Sequence, residues 1–144
     1  MISDTLPSVT LVRRIKASPA KIWAAITEPD QMVQWWGIDA GPTLSAEADA
    51  RPGGRFAVTF RMMDGAEISI GGAYQEVVPE QRLVFSWEWP GGSASRVIFT
   101  LAPIDGGTEL TLVHEQLPDQ DARISHERGW NALLDKLSLF LGDA

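Results

Sequence analysis

The chain changes its hydrophobic period three times. Ser8 to Lys16 is rich in β-branched residues and reads as a strand. Ser18-Pro19 then supplies an N-cap followed by a proline at the first helical position. The short helix predicted there places Ile22, Trp23 and Ile26 on one face and ends at Pro29. A second short segment, Asp30 to Trp36, carries Met32, Val33 and Trp36 at helical spacing and stops at Gly37. From Gly41 to about Gln116 the period falls to two. Leu44, Ala46 and Ala48 alternate with Ser45, Glu47 and Asp49, and Phe56, Val58 and Phe60 alternate with Arg55, Ala57, Thr59 and Arg61. Such alternation marks antiparallel strands with one covered face and one wet face.

Turn chemistry punctuates this region at Asp64-Gly65, Pro79-Glu80, Pro90-Gly91-Gly92 and Asp105-Gly106-Gly107, the pattern of a meander. Six strands are predicted after the helices, near residues 42–50, 54–62, 67–78, 82–89, 94–102 and 108–116. Gly71-Gly72 inside the longest of them predicts a bulge or bend. Beyond Pro118 and Asp119 the helical period returns. Trp130, Leu133, Leu134, Leu137, Phe140 and Leu141 form one apolar stripe, closed by Gly142.

The order strand, two short helices, six strands, long helix predicts an α+β chain. Seven antiparallel strands with one wet face need a cover, and the last helix alone has the length. About 20 helical residues span ~30 Å, enough to cross such a sheet diagonally. A curved sheet wrapped around a helix leaves a space between them, and spaces of this kind are the usual small-molecule sites. No linker, repeat or low-complexity stretch interrupts residues 1–144, so one domain is expected.

Composition narrows the function classes. The chain has 144 residues, 44% hydrophobic and 22% charged, in the ordinary globular range. It contains no cysteine, which removes disulfides, thiolate nucleophiles and zinc–thiolate sites. No apolar run approaches the ~20 residues of a membrane span, and MISDTLPSVT does not read as a signal peptide, so a cytoplasmic protein is expected. The net charge of −7 predicts no nucleic-acid partner, and without a spanning segment no membrane partner is expected. Arg13, Arg14 and Lys16 form a tight basic group, read as a solvated strand face.

Several motifs, in order, resemble one family: Trp35-Trp36-Gly37, Gly53-Gly54-Arg55-Phe56, the run from Pro79 to Trp87, the run from Leu110 to Glu115, and His126 to Leu134. Together they are similar to the SRPBCC (START-like, helix-grip) superfamily, in the branch named after the activator of heat-shock-protein ATPase. The resemblance spans roughly residues 8 to 141. It implies a helix-grip fold, with a curved seven-stranded sheet around the long C-terminal helix. Functions within the superfamily include lipid and hormone binding, polyketide cyclisation, toxin sequestration and co-chaperone activity. Co-chaperone members carry a separate N-terminal domain, for which this sequence has no room, so ATPase activation is not expected.

The expected ligand-binding residues follow from the alternation. Leu83, Phe85, Trp87 and Trp89 share one side of their strand; Phe56, Val58 and Phe60 form a second wall, Val97 and Phe99 a third, and Trp130 with Leu134 the helical lid. Core filling competes with cavity lining for all of them. Trp35 and Trp36 cannot both point the same way, so one is either a gate at the cavity mouth or a plug holding the short helices down. His114 follows Leu110 and Leu112 at strand spacing and should face inward, as should Tyr74, while His126 and Glu127 lie near the inner face of the last helix. These four are expected to form a polar cluster that either anchors a ligand or satisfies itself internally. If the protein is an enzyme, His114, His126 and Glu127 are its catalytic candidates.

Other chemistry finds little support. His114-Glu115 and His126-Glu127 do not match the His-Glu-x-x-His spacing of a zinc helix, and no metal is expected. No Gly-x-Ser-x-Gly elbow is present, and Pro90 to Ser95 reads as a hairpin loop rather than a phosphate cradle. No cofactor is implied. The leading expectation is binding or sequestration of a small apolar or aromatic molecule, with a role in a stress response. The alternatives are a cyclase- or aromatase-type lyase or isomerase, or a co-chaperone-like interaction protein. A homodimer through a sheet edge or the Trp35–Trp36 region belongs to the last of these.

Overall fold

The computed structural model describes residues 7–36, 43–61, 65–88 and 94–142, with the backbone alone at 43 and 44. The expectations at Gly37, Gly41, the side chain of Leu44, Asp64, Trp89 and Pro90-Gly91-Gly92 lie outside the described residues.

Strand β1 (Val9–Ile15) is followed by α1 (Pro19–Thr27) and a single helical turn, α2 (Pro29–Met32). Ser18 caps α1, its Oγ accepting from the Lys21 amide at 3.2 Å. Ile22, Ala25 and Ile26 form the buried face, whereas Trp23 is half-buried. The meander comprises β2 (Thr43–Ala48), β3 (Arg55–Arg61), β4 (Glu67–Val78), β5 (Arg82–Glu88), β6 (Ala94–Ile104) and β7 (Gly107–Glu115). With β1 these make a seven-stranded antiparallel sheet in the order β1-β7-β6-β5-β4-β3-β2. Helix α3 (Gln120–Phe140) completes the α+β helix-grip arrangement. Asp119 caps it, accepting from the Ala122 amide at 2.8 Å, and Gly142 at φ +84° ends it in the left-handed conformation.

The predicted alternation holds on most strands, and β3, β6 and β7 bury every second residue. The central strand β5 departs from it, with Val84 and Ser86 on its outer side sheltered as well. Flanking cross-strand pairs explain the shelter: Arg55–Glu88, Arg82–Glu76 and Arg96–Glu115 lie over the neighbouring strands.

The bulge does not fall at Gly71-Gly72. The register between β4 and β5 shifts between Tyr74 and Glu76 instead, two residues further on. The glycines answer a closer constraint, since a Cβ on Gly72 would run into the Ser86 carbonyl of β5. The shift leaves Tyr74 on the inner face, as predicted.

Trp130, Leu133, Leu134 and Leu137 form the buried stripe of α3, continued by its C-cap Leu141, while Phe140 is 37% exposed and drops out of it. Arg13 also departs from expectation. It is half-buried on the inner side of β1 and reaches Asp135 Oδ1 and Asn131 Oδ1 of α3, each at 2.8 Å. The backbone of α3 approaches the sheet most closely along β1. Over the central strands, large side chains fill the separation.

Candidate functional site

Strand register brings the inner-face side chains into rows. Phe85, Val97 and His114 stand opposite one another across β5, β6 and β7; Leu83, Phe99 and Leu112 form the next row, and Trp87 stands opposite Ser95. Facing them, α3 lowers Trp130, whose ring lies 5.0 Å from Trp87 and 5.9 Å from Phe99. Phe56 of β3 meets Phe85 edge-on at 5.0 Å and Tyr74 at 5.7 Å. The result is a layer of aromatic rings between sheet and helix.

Most of the side chains expected to line the site take part in this interior. Phe56, Val58, Phe60, Tyr74, Phe85, Trp87, Phe99, Trp130 and Leu134 are all buried. Trp35 is buried too. Its Nε1 donates to the Ala25 carbonyl at 2.9 Å, so it fastens the turn after α2 against α1. That geometry fits a plug rather than a gate. Its neighbour Trp36, not singled out as a ligand contact, occupies the middle of the layer, within 6.4 Å of Phe56, Phe85, Trp87 and Trp130, ring centre to ring centre. The i, i+4 spacing of Met32 and Trp36 was the available signal. Trp36 is 1% exposed, and its Nε1 has no hydrogen-bond partner among the described residues.

The expected cluster of Tyr74, His114, His126 and Glu127 does not form as one group. His114 and His126 meet, their rings 4.7 Å apart. Tyr74 stands on β4, three strands from His114, or roughly 14 Å at strand spacing. Burial, and secondarily the Asp49 carboxylate, push its phenol pKa upward. Glu127 turns to Arg123 at 3.1 Å. Sequence spacing chose the faces correctly but could not measure distance across the sheet.

His114 is fully buried, and both its ring nitrogens are occupied. Trp130 Nε1 donates to Nδ1 at 2.9 Å, and Nε2 lies 2.6 Å from Ser95 Oγ. An indole N–H can only donate, so Nδ1 must be the acceptor and Nε2 carries the proton toward Ser95. Burial pushes the His114 pKa down to about 3, with the nearby His126 adding to the shift. A neutral imidazole whose basic nitrogen is already capped by Trp130 cannot take a proton from Ser95, so the pair is not a nucleophile and its base. His126 is half-buried and its Nδ1 donates to the Ala122 carbonyl at 2.7 Å.

Ser95 falls both in the loop expected from Pro90 to Ser95 and in the strand expected near 94–102, and it was not among the expected site residues. It lies in β6 on the inner face, and its spacing from Val97, Phe99 and Leu101 carried that signal. Among the described residues, no group of three or more His, Cys, Asp or Glu could hold a metal, and no helix is long and apolar enough to cross a membrane.

Comparisons with known proteins agree with this architecture. The family profile described as "Activator of Hsp90 ATPase homolog 1-like protein" matches residues 16–142. Protein CV1439 from Chromobacterium violaceum is 26% identical with a TM-score of 0.85, over 95% of this chain and 97% of that one. The AHSA1 protein from Silicibacter pomeroyi is also 26% identical, with a TM-score of 0.85 over 94% and 98%. CalU16 from Micromonospora echinospora, again 26% identical, gives a TM-score of 0.70 over 93% of this chain and 75% of its own. No curated protein matches the chain. A profile match over most of the length, together with the shared fold, places this chain in the family of activator of Hsp90 ATPase homolog 1-like proteins.

Proposed function

We propose that the aromatic layer between sheet and α3 receives a small apolar or aromatic molecule. The observation that carries this reading is the origin of Trp36. The ring at the centre of the layer comes from neither wall but from the turn that follows the one-turn helix α2. Strand ladders and α3 hold the walls, whereas Met32, Trp35 and Trp36 hold α2 through side chains. Moving α2 outward opens the layer without breaking a ladder or a long helix, so it is the opening that costs least.

The energetics are adequate. A ligand burying ~300 Å² of apolar surface gains several kcal/mol at ~25 cal/mol/Å², before ordering costs. The cost of parting the rings lowers the apparent affinity by the fraction of molecules that are open. Affinity on the micromolar scale is expected, with Phe56, Phe85, Trp87, Phe99 and Trp130 as the principal walls. The occupied nitrogens of His114 support binding rather than acid–base turnover. A protein acting in the cytoplasm by sequestering such a molecule needs no cofactor.

Titration with a library of flat apolar aromatics, followed by tryptophan fluorescence and hydrogen exchange, tests this reading. The expected result is saturable quenching by at least one member, with exchange altered in residues 29–36. The absence of saturable quenching across the library would overturn it.

A further inference from the structure

The buried indoles of the layer do not use their N–H groups alike. Trp35 Nε1 donates to the Ala25 carbonyl and Trp130 Nε1 to His114 Nδ1, both at 2.9 Å. Trp36 Nε1 is buried to the same degree and has no hydrogen-bond partner among the described residues. Its ring neighbours among the described residues are Trp35, Phe56, Phe85, Trp87 and Trp130, none of which brings a strong acceptor to it. An unsatisfied buried donor carries a desolvation penalty that the fold does not offset locally. Unmet donors of this kind in an otherwise apolar interior are where a ligand's polar atom is recognised.

We propose that Trp36 Nε1–H is the polar anchor of the site, and that its ligand is a neutral apolar or aromatic molecule carrying a hydrogen-bond acceptor such as a ketone or ether oxygen. This rests on the binding reading above and narrows it. An indole N–H donates and cannot accept, so the complementary atom must be an acceptor. The ligand is neutral because a carboxylate or phosphate would lose its hydration among five aromatic rings for one hydrogen bond, a strongly unfavourable exchange. The net charge of −7 disfavours an anion further. His114 offers no competing anchor, since Trp130 and Ser95 occupy its nitrogens.

A matched ligand pair on wild type and Trp36→Phe tests the assignment. The probes are 2-acetylnaphthalene and 2-isopropenylnaphthalene, which share a shape and differ by a carbonyl oxygen against a methylene. The alkene is the more hydrophobic, so the readout is the ketone-to-alkene affinity ratio in wild type divided by that in the variant. The expected quotient is about three- to tenfold, the worth of one net hydrogen bond. A quotient of one, with both probes bound, would overturn the anchor and leave the binding reading intact. Failure of both probes to bind wild type would count against the binding reading itself, and the anchor falls with it.

Indole ¹H–¹⁵N spectra of the wild-type protein give a check that does not depend on the variant folding. Of six tryptophan signals, that of Trp36 should move downfield with the ketone and not with the alkene. A shift confined to another tryptophan would overturn the assignment.

Discussion

Two tryptophans of the same aromatic layer, Trp130 and Trp36, treat their buried N–H groups in opposite ways. Toward β6 and β7, Trp130, His114 and Ser95 form a closed chain in which each donor meets an acceptor. Toward α2, Trp36 brings an equally buried N–H into apolar surroundings and leaves it without a partner among the described residues. The first arrangement stabilises the joint between sheet and helix. The second costs stability, and it sits in the turn that follows the single-turn helix α2. A polar group in this interior is therefore structural where its partners come from the walls, and available where they do not.

The most direct way to break the comparison is to remove each N–H in turn. Trp130→Phe and Trp36→Phe delete similar volumes, but only the first strands an acceptor, His114 Nδ1. Trp130→Phe is expected to cost up to about 3 kcal/mol more than Trp36→Phe in denaturant unfolding. Equal costs would mean that the two indoles are equivalent after all.

Acid sharpens the same contrast. His114 titrates near 3 in the folded chain and near 6.5 when unfolded, so below about pH 6.5 the unfolded state binds the extra proton. Stability is then full above about pH 6.5 and falls as pH drops, by about 1.4 kcal/mol per unit, or roughly 2 kcal/mol by pH 5. His114→Gln should flatten that slope in chemical denaturation between pH 7 and 5. A slope that persists unchanged in the variant would remove His114 from the buried, neutral role.

Most of the fold was legible in the sequence because periodicity reports which face is buried. Phe56-Val58-Phe60 and Leu110-Leu112-His114 were placed on the inner face from spacing alone, and that is where they lie. Spacing along one strand says nothing about distance across the sheet, so the separation of Tyr74 from His114 was not legible. Nor was the placement of Trp36, which depends on how α2 meets the sheet. Arg13 misled for another reason: its charge suggested solvent, whereas its stem lies against the inner edge and its head meets Asp135 and Asn131.

Two smaller effects test the edges of the contrast. Ser95→Ala leaves His114 Nε2–H without its acceptor and should cost about 1 kcal/mol, measured by thermal unfolding at pH 7. A neutral outcome would show that the chain from Trp130 ends at His114. Arg13→Ala removes a partly exposed pair with Asp135 and should cost less than about 1 kcal/mol. A larger loss would mean that β1, rather than the aromatic layer, holds α3 in place.

Native mass spectrometry of protein purified gently from its own host, followed by denaturing analysis of whatever is released, tests the central claim most directly. The expected species is a stoichiometric, neutral, largely apolar molecule carrying an acceptor oxygen. A protein that is empty from its host, and whose tryptophans respond to no apolar aromatic added afterwards, would contradict the claim.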